Sequence, residues 1–257
     1  MHMMDRILKS AKDLAFEMDG LTFSDPVHTI YNPLQYAWQA HEEYLRMWPE
    51  RAAVLFLGMN PGPWGMAQTG VPFGEVGMVR DWLGIKAGVG QPKSPHPKRP
   101  VQGWDCPRSE VSGRRLWGLF RERYGKAVHF FRENLVHNYC PLLFLKASGA
   151  NLTPDKLPAG ERGPLEAACD RHLRVIVEIL RPEHLVGVGA YAERCLRRLF
   201  PDRGVIRILH PSPASPAANH DWAGNVSQTL CEKSVWPENL LDSSKNFMAR
   251  SSAFFLE

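Results

Sequence analysis

The chain has 257 residues, 44% hydrophobic and 23% charged, enough to bury one substantial core, so a single domain over 1–257 is expected. Lysine and arginine exceed aspartate and glutamate by 31 to 27, for a pI near 8.8, a weak pull toward polyanions and no more. Five cysteines without a Cys-x-x-Cys spacing exclude a disulfide framework and a thiolate-held zinc or iron–sulfur cluster, and no run reaches eighteen apolar residues. The amino terminus, MHMMDRILKSAKDL, places acids and lysines where a signal peptide would be apolar. These features predict an intracellular monomer with reduced thiols, no metal and no membrane partner, located in cytoplasm or nucleoid in a prokaryote and in the nucleus in a eukaryote.

Residues 3–18 carry Ile7, Leu8, Ala11, Leu14, Ala15 and Met18 at helical spacing, with Gly20 as the stop of a first helix over about 3–20. Asn32-Pro33 reads as the cap and first turn of a second helix to Trp48, with Leu34, Ala37, Trp38, His41, Leu45 and Trp48 inward. An apolar run at 53–57 predicts a buried strand that stops at Gly58-Met59-Asn60-Pro61-Gly62-Pro63. Five glycines and three prolines in the eighteen residues 58–75 describe a stiff cradle with backbone exposed to whatever it holds. A short helix at 79–85 precedes an aperiodic excursion over 86–107, of the length that marks functional or mobile loops.

Helical pattern returns at 112–124, then a mixed stretch at 127–133 and a second apolar run at 135–144, read as a strand and its exit. A loop over 146–163 leads through Pro164 into a helix at 165–180, closed by Pro182. Strand 184–188, helix 190–200 and strand 205–209 follow, the last ending at His210-Pro211. This alternation is the signature of an open parallel sheet covered on both faces. A final helix is expected over about 218–235, and the tail from 242 to 257 is expected to fray.

Sheets of this kind bind ligands beyond the carboxyl ends of their strands. Asn60, Asn138 and His210 all fall just there, which places three polar groups on one rim. No Gly-x-Ser-x-Gly elbow, phosphate-binding Gly-x-x-x-x-Gly-Lys or His-Glu-x-x-His is present, so a serine nucleophile, an NTPase and a metalloenzyme are not indicated. An asparagine positions water but is no strong base. Such a set suits a bond that breaks mainly by departure of its leaving group, an N-glycosidic bond above all. His210 would then donate to the oxyanion forming on the departing base. The donor and acceptor faces of Asn138 match a pyrimidine edge.

The segments GMNPGPWGMAQTGVPFGEVGMVRDWLGI (58–85), VHNYCPL (136–142) and HPSPASPAANHDW (210–222) resemble the signature stretches of the single-strand-selective monofunctional uracil-DNA glycosylases. The resemblance runs in order over about 25–235. It implies a three-layer α/β/α fold around a four-stranded parallel sheet, no cofactor, and excision of uracil from single- and double-stranded DNA to leave an abasic site. By position, it implies that Asn60 orients the water, His210 stabilises the uracil anion, Asn138 pairs with the flipped base and Phe73 stacks on it. Met59 and Met66 are expected to line the pocket, with apolar packing the alternative for Met66. Gly62 stands where strict uracil enzymes of the wider superfamily carry a bulky tyrosine, so oxidised uracils such as 5-hydroxymethyluracil become expected substrates. Pro211, Ser212, Pro213, Ala214 and Ser215 correspond to the loop that wedges into DNA, with Ala214 in place of the arginine of vertebrate members; this favours single-stranded substrate.

Phosphate contacts are expected from Lys93, Lys98, Arg99, Arg114, Arg115 and Lys245, while Arg194, Arg197 and Arg198 are read as a solvated helix face and Lys146 as structural rather than a Schiff-base lysine. A glycosidase acting on free nucleosides and a non-catalytic module that binds an extruded base both remain compatible with the same rim.

Overall fold

The computed structural model describes residues 2–237; the expected frayed tail and Lys245 lie outside the described residues. In chain order the elements are α1 (Met3–Asp19), β1 (Thr29–Tyr31), α2 (Pro33–Tyr36), α3 (Trp38–Leu45), β2 (Val54–Gly58) and α4 (Met66–Thr69), then a π-helical turn (Met78–Leu83). There follow α5 (Val111–Tyr124), α6 (Ala127–Phe130), β3 (Asn134–Asn138), β4 (Leu143–Leu145), β5 (Asn151–Leu152), α7 (Ala159–Leu180), β6 (His184–Val188), α8 (Ala190–Leu199), β7 (Val205–Ile208) and α9 (Trp222–Glu232).

The central sheet is four-stranded and parallel in the order β3-β2-β6-β7, so the expected fold class holds. Its middle strand β2, VLFLG, is buried along its whole length, as befits a strand covered on both faces. Right-handed crossovers place α5 on one face and α7 and α8 on the other, with α1 packed on α7 and α9 on α5 and β7. Ile7, Leu8, Ala11, Leu14, Ala15 and Met18 are all buried, so the period read for α1 is the period of its contacts. Beside β3, which is buried along its length, the hydroxyl of Tyr44 donates to the carbonyl of Val136 at 2.6 Å.

Several boundaries differ from expectation. The helix expected over 32–48 breaks at Ala37 (φ −110°, ψ 26°) into α2 and α3. The break falls where the cradle packs: Gly70 lies so close to Ala37 that a Cβ on it would stand 2.9 Å from both the Ala37 methyl and its carbonyl. Trp38 is accordingly only partly buried, its indole N–H bonded to Glu42. The run at 135–144 is two strands, because the chain leaves the parallel sheet after Asn138. It then enters a small antiparallel sheet, β1-β4-β5, that sequence periodicity did not reveal. The short helix after the cradle is the π-helical turn. Pro164 lies inside α7 rather than before it, at the cost of the one bond its missing N–H would make to Gly160. The last helix begins only at Trp222, after a 3-10 turn at Pro216–Asn219. The excursion over 86–107 is aperiodic as expected but pinned: His96 N–H donates to the Tyr31 hydroxyl, and Gln102 N–H to Gln68 Oε1.

Candidate active site

The strand order reverses at β2, the point at which open α/β sheets bind ligands. There β2 ends at Gly58, the register partner of Asn138. The ladder continues past the strands, Tyr139 N–H donating to the Gly58 carbonyl and Cys140 N–H to that of Met59. This sets the Asn138 side chain beside the cradle. Only glycine fits at 58, because a Cβ would collide with Asn138 Oδ1 and with the ring of Phe73. Phe73 itself holds φ +52°, a strained conformation for a bulky residue. It is kept there by Trp117, which donates to the Pro72 carbonyl at 3.1 Å, and by Thr69, which donates to that of Gly74.

His210 follows β7. Gly189, after β6, takes φ +90° and passes so close that a Cβ would stand 3.1 Å from that of His210. The carbonyls on either side of the histidine are both anchored: Trp222 Nε1 donates to Leu209 at 2.8 Å and Arg115 Nη1 to Pro211 at 3.0 Å. Its Nδ1 accepts the Ser212 backbone N–H at 3.1 Å. Burial lowers its pKa to about 4, so at neutral pH the ring is uncharged and Nε2 carries the proton. The side chain is a hydrogen-bond donor without being a cation.

Asn60, Asn138, His210, Phe73, Met59 and Gly62 share one cavity of about 370 Å³. The ring centroids of Phe73 and His210 are 6.0 Å apart. Asn60 Nδ2 donates to the Leu142 carbonyl at 3.1 Å, which orients its carboxamide and leaves the oxygen without a protein partner among the described residues. Asn138 is buried, its Nδ2 touching Met66 Sδ at 3.4 Å and its Oδ1 unpaired. Met66 thus lies behind Asn138 rather than on the cavity wall. No group of three or more His, Cys, Asp or Glu side chains among the described residues is arranged to hold a metal.

A model of the uracil DNA glycosylase superfamily matches residues 45–230. A single-strand selective monofunctional uracil-DNA glycosylase of Rattus norvegicus is 52% identical over 226 residues, spanning 86% of this chain and 81% of the rat protein. The Bos taurus protein of the same description is 50% identical over 86% of this chain and 83% of its own. The chain belongs to the single-strand-selective uracil-DNA glycosylases, within the uracil-DNA glycosylase superfamily. The solved structure of Pedobacter heparinus SMUG2 superposes with a TM-score of 0.63 at 17% identity, over 91% of this chain and 98% of that one, a likeness of fold.

The loop Pro211 to Ser215, for which a DNA-wedging role was expected, is closed by Ser215 N–H on the Ser212 carbonyl and by Asn219 Nδ2 on that of Pro213. Pro213 and Ala214 are exposed at its tip. Among the expected phosphate contacts, Arg115 is committed to Pro211 and Asn219 and so serves to hold the loop. Lys93 pairs at 3.5 Å with Asp19 while 92% exposed. Lys98 and Arg114 are exposed. Arg99 and Arg108 flank the indole of Trp64 at 5.3 and 4.7 Å from its centroid, next to Pro63 on the cavity wall. Arg198 is exposed, as expected of that face, but is also paired: it binds Asp170, which is 7% exposed and also accepts from Tyr139. Arg197 donates to the Val205 carbonyl, and Arg194 lies over Tyr191. Lys146 is not on the cavity wall, and its carbonyl bonds His96.

Two contributors escaped the sequence. The small antiparallel sheet brings Asn151 and Thr153 to the cavity mouth. Glu110, at the start of α5, turns its carboxyl into the wall, in the space left free by Gly62, Gly65 and Gly113. Gly62 therefore opens no void, because Glu110 fills it.

Proposed function

We propose that this protein hydrolyses the bond between deoxyribose C1′ and N1 of uracil in DNA, without metal or cofactor, leaving an abasic site. The observation that carries the reading is the convergence of Asn60, Asn138 and His210 on one cavity, each with an unpaired hydrogen-bonding valence. The flipped uracil stacks on Phe73, donates N3–H to Asn138 Oδ1 and accepts at O4 from Asn138 Nδ2. As the C1′–N1 bond lengthens, charge gathers on O2, and the His210 Nε2–H is already aimed to meet it. A neutral donor stabilises the anion without protonating it. Asn60 Oδ1 accepts from the water that adds to C1′; the hydroxyl stays on the sugar and the proton leaves with the base or to solvent.

Single-stranded DNA is the preferred substrate in this reading, since the methyl of Ala214 is too short to fill a gap in a duplex stack. Lys98, Arg99, Arg108 and Arg114 offer the phosphate contacts. The substrate range extends to uracils oxidised at C5. The protein acts as a monomer in a reducing intracellular compartment, which its five free, buried cysteines suit.

The test is base release, in EDTA, from a uracil-containing single-stranded oligonucleotide, its duplex and free deoxyuridine. Release from the oligonucleotide and not the nucleoside is expected. Release from deoxyuridine alone would identify a nucleosidase, and uracil-dependent binding without release would identify a non-catalytic module.

A further inference from the structure

Two buried polar atoms of the cavity residues lack a partner among the described residues: Asn138 Oδ1 and Glu110 Oε2. The first has its partner in the reading above, the N3–H of the base. Buried polar atoms are nearly always satisfied, so the second calls for one too.

Its place in the wall says what that partner is. With Phe73 against the ring face, Asn138 across N3 and O4, and His210 at O2, three sides of the uracil ring are taken. The C5 edge follows O4 around the ring, so it faces the wall next after Asn138, where Gly62 and Glu110 stand. Glu110 as a residue is partly exposed, but Oε2 is shut off from solvent. A Cβ at Gly62 would meet Oε1 and a Cβ at Gly65 would meet Oε2, so the carboxyl is seated in the glycine cradle itself. It makes no side-chain capping bond to α5. Its terminal torsion is broad and nearly two-fold, which lets either oxygen turn to the base.

We propose that Glu110 is the specificity-determining residue for the C5 position, hydrogen-bonding pyrimidines that carry a hydroxymethyl or formyl group there and disfavouring the methyl of thymine. The inference rests on the glycosylase reading above. Burial, with Glu75 nearby, raises the Glu110 pKa to about 7, so near neutrality the group is available in two forms. As carboxylate it accepts from the hydroxyl of 5-hydroxymethyluracil; as acid it donates to the carbonyl of 5-formyluracil. Uracil carries only hydrogen at C5 and leaves room for a water on the carboxyl, whereas a methyl fills that space, makes no hydrogen bond and leaves the carboxyl buried and unpaired, the situation in which a polar site discriminates most strongly.

The experiment measures kcat/KM for single-stranded oligonucleotides bearing one uracil, 5-hydroxymethyluracil, 5-formyluracil or thymine, using the full chain and its Glu110→Leu and Glu110→Gln variants. The reported quantity is the ratio of each substituted base to uracil, which a purely structural role for Glu110 would leave unmoved. We expect Leu to lower the 5-hydroxymethyluracil and 5-formyluracil ratios at least about tenfold and Gln to hold them within about threefold. An unchanged ratio in a folded Leu variant overturns the proposal, as does a wild-type protein that releases uracil but neither oxidised base. Should the Leu variant not fold, Glu110→Asp, which withdraws the carboxyl by one methylene, is judged by the same ratio. Absence of uracil release from the wild type would instead defeat the glycosylase reading itself.

Discussion

The backbone N–H of Ser212 donates to Nδ1 of His210 at 3.1 Å, which settles the tautomer of the side chain proposed to receive the charge of the departing base. Protonating the ring would require breaking this bond inside the protein, in keeping with the pKa of about 4 that burial gives it. The rate of base release in single-turnover assays should therefore show no step near pH 6.5 from His210 and should fall only as pH approaches 4. His210→Ala should lower it about 10²–10³-fold with the melting temperature nearly unchanged.

Asn60 offers a test of the water-positioning role, because its nitrogen is already held by the Leu142 carbonyl and its oxygen is free. Asn60→Ala should lower kcat about a hundredfold while KM for the oligonucleotide changes little. If Asn60 merely closes the strand end, the melting temperature should drop instead and kcat survive.

Gly58 makes the pocket possible through what it lacks. Gly58→Ala would press a methyl into both Asn138 Oδ1 and the Phe73 ring, moving the pairing edge and the stacking face together. kcat/KM for uracil release should fall at least about tenfold. Retained activity would mean that the base does not lie between these two side chains.

Arg115 separates a positioning role from a phosphate contact. It bridges α5 to the Pro211 carbonyl and Asn219, so Arg115→Ala should lower kcat while the slope of log binding constant against log salt stays the same. For the exposed Arg114, Arg114→Ala should reduce the magnitude of that slope by about one, with little change in kcat. A reduced slope for Arg115→Ala would return that residue to the DNA track.

How much of this was legible in the sequence depends on how far apart the cooperating residues lie. Asn60, Asn138 and His210 were found because each follows an apolar run and a parallel sheet brings strand ends together. The seat of Glu110 was not, because it consists of side chains missing at 62, 65 and 113, and no local pattern reports a shared absence. The ion pair of the exposed Arg198 was not legible because its partner, Asp170, belongs to a different helix. The small sheet has strands of two or three residues, too short to show a period.

His41 and His172 carry the last prediction, which concerns stability rather than catalysis. Both are buried in the core. His41 Nδ1 donates to the Gly70 carbonyl at 2.7 Å, tying α3 to the cradle. Burial lowers their pKa values to about 4 and about 3 from the ordinary 6.5. Between pH 6.5 and 4 the unfolded chain takes up protons that the folded chain refuses, so stability is fully present above 6.5 and is lost as pH falls through that window. At pH 4 His41 alone should account for a loss of about 3 kcal/mol. Urea midpoints measured between pH 7 and 4 should fall steadily, and His41→Gln should flatten the fall whatever it does to stability at pH 7. An equally steep fall in that variant would place the proton uptake on other groups.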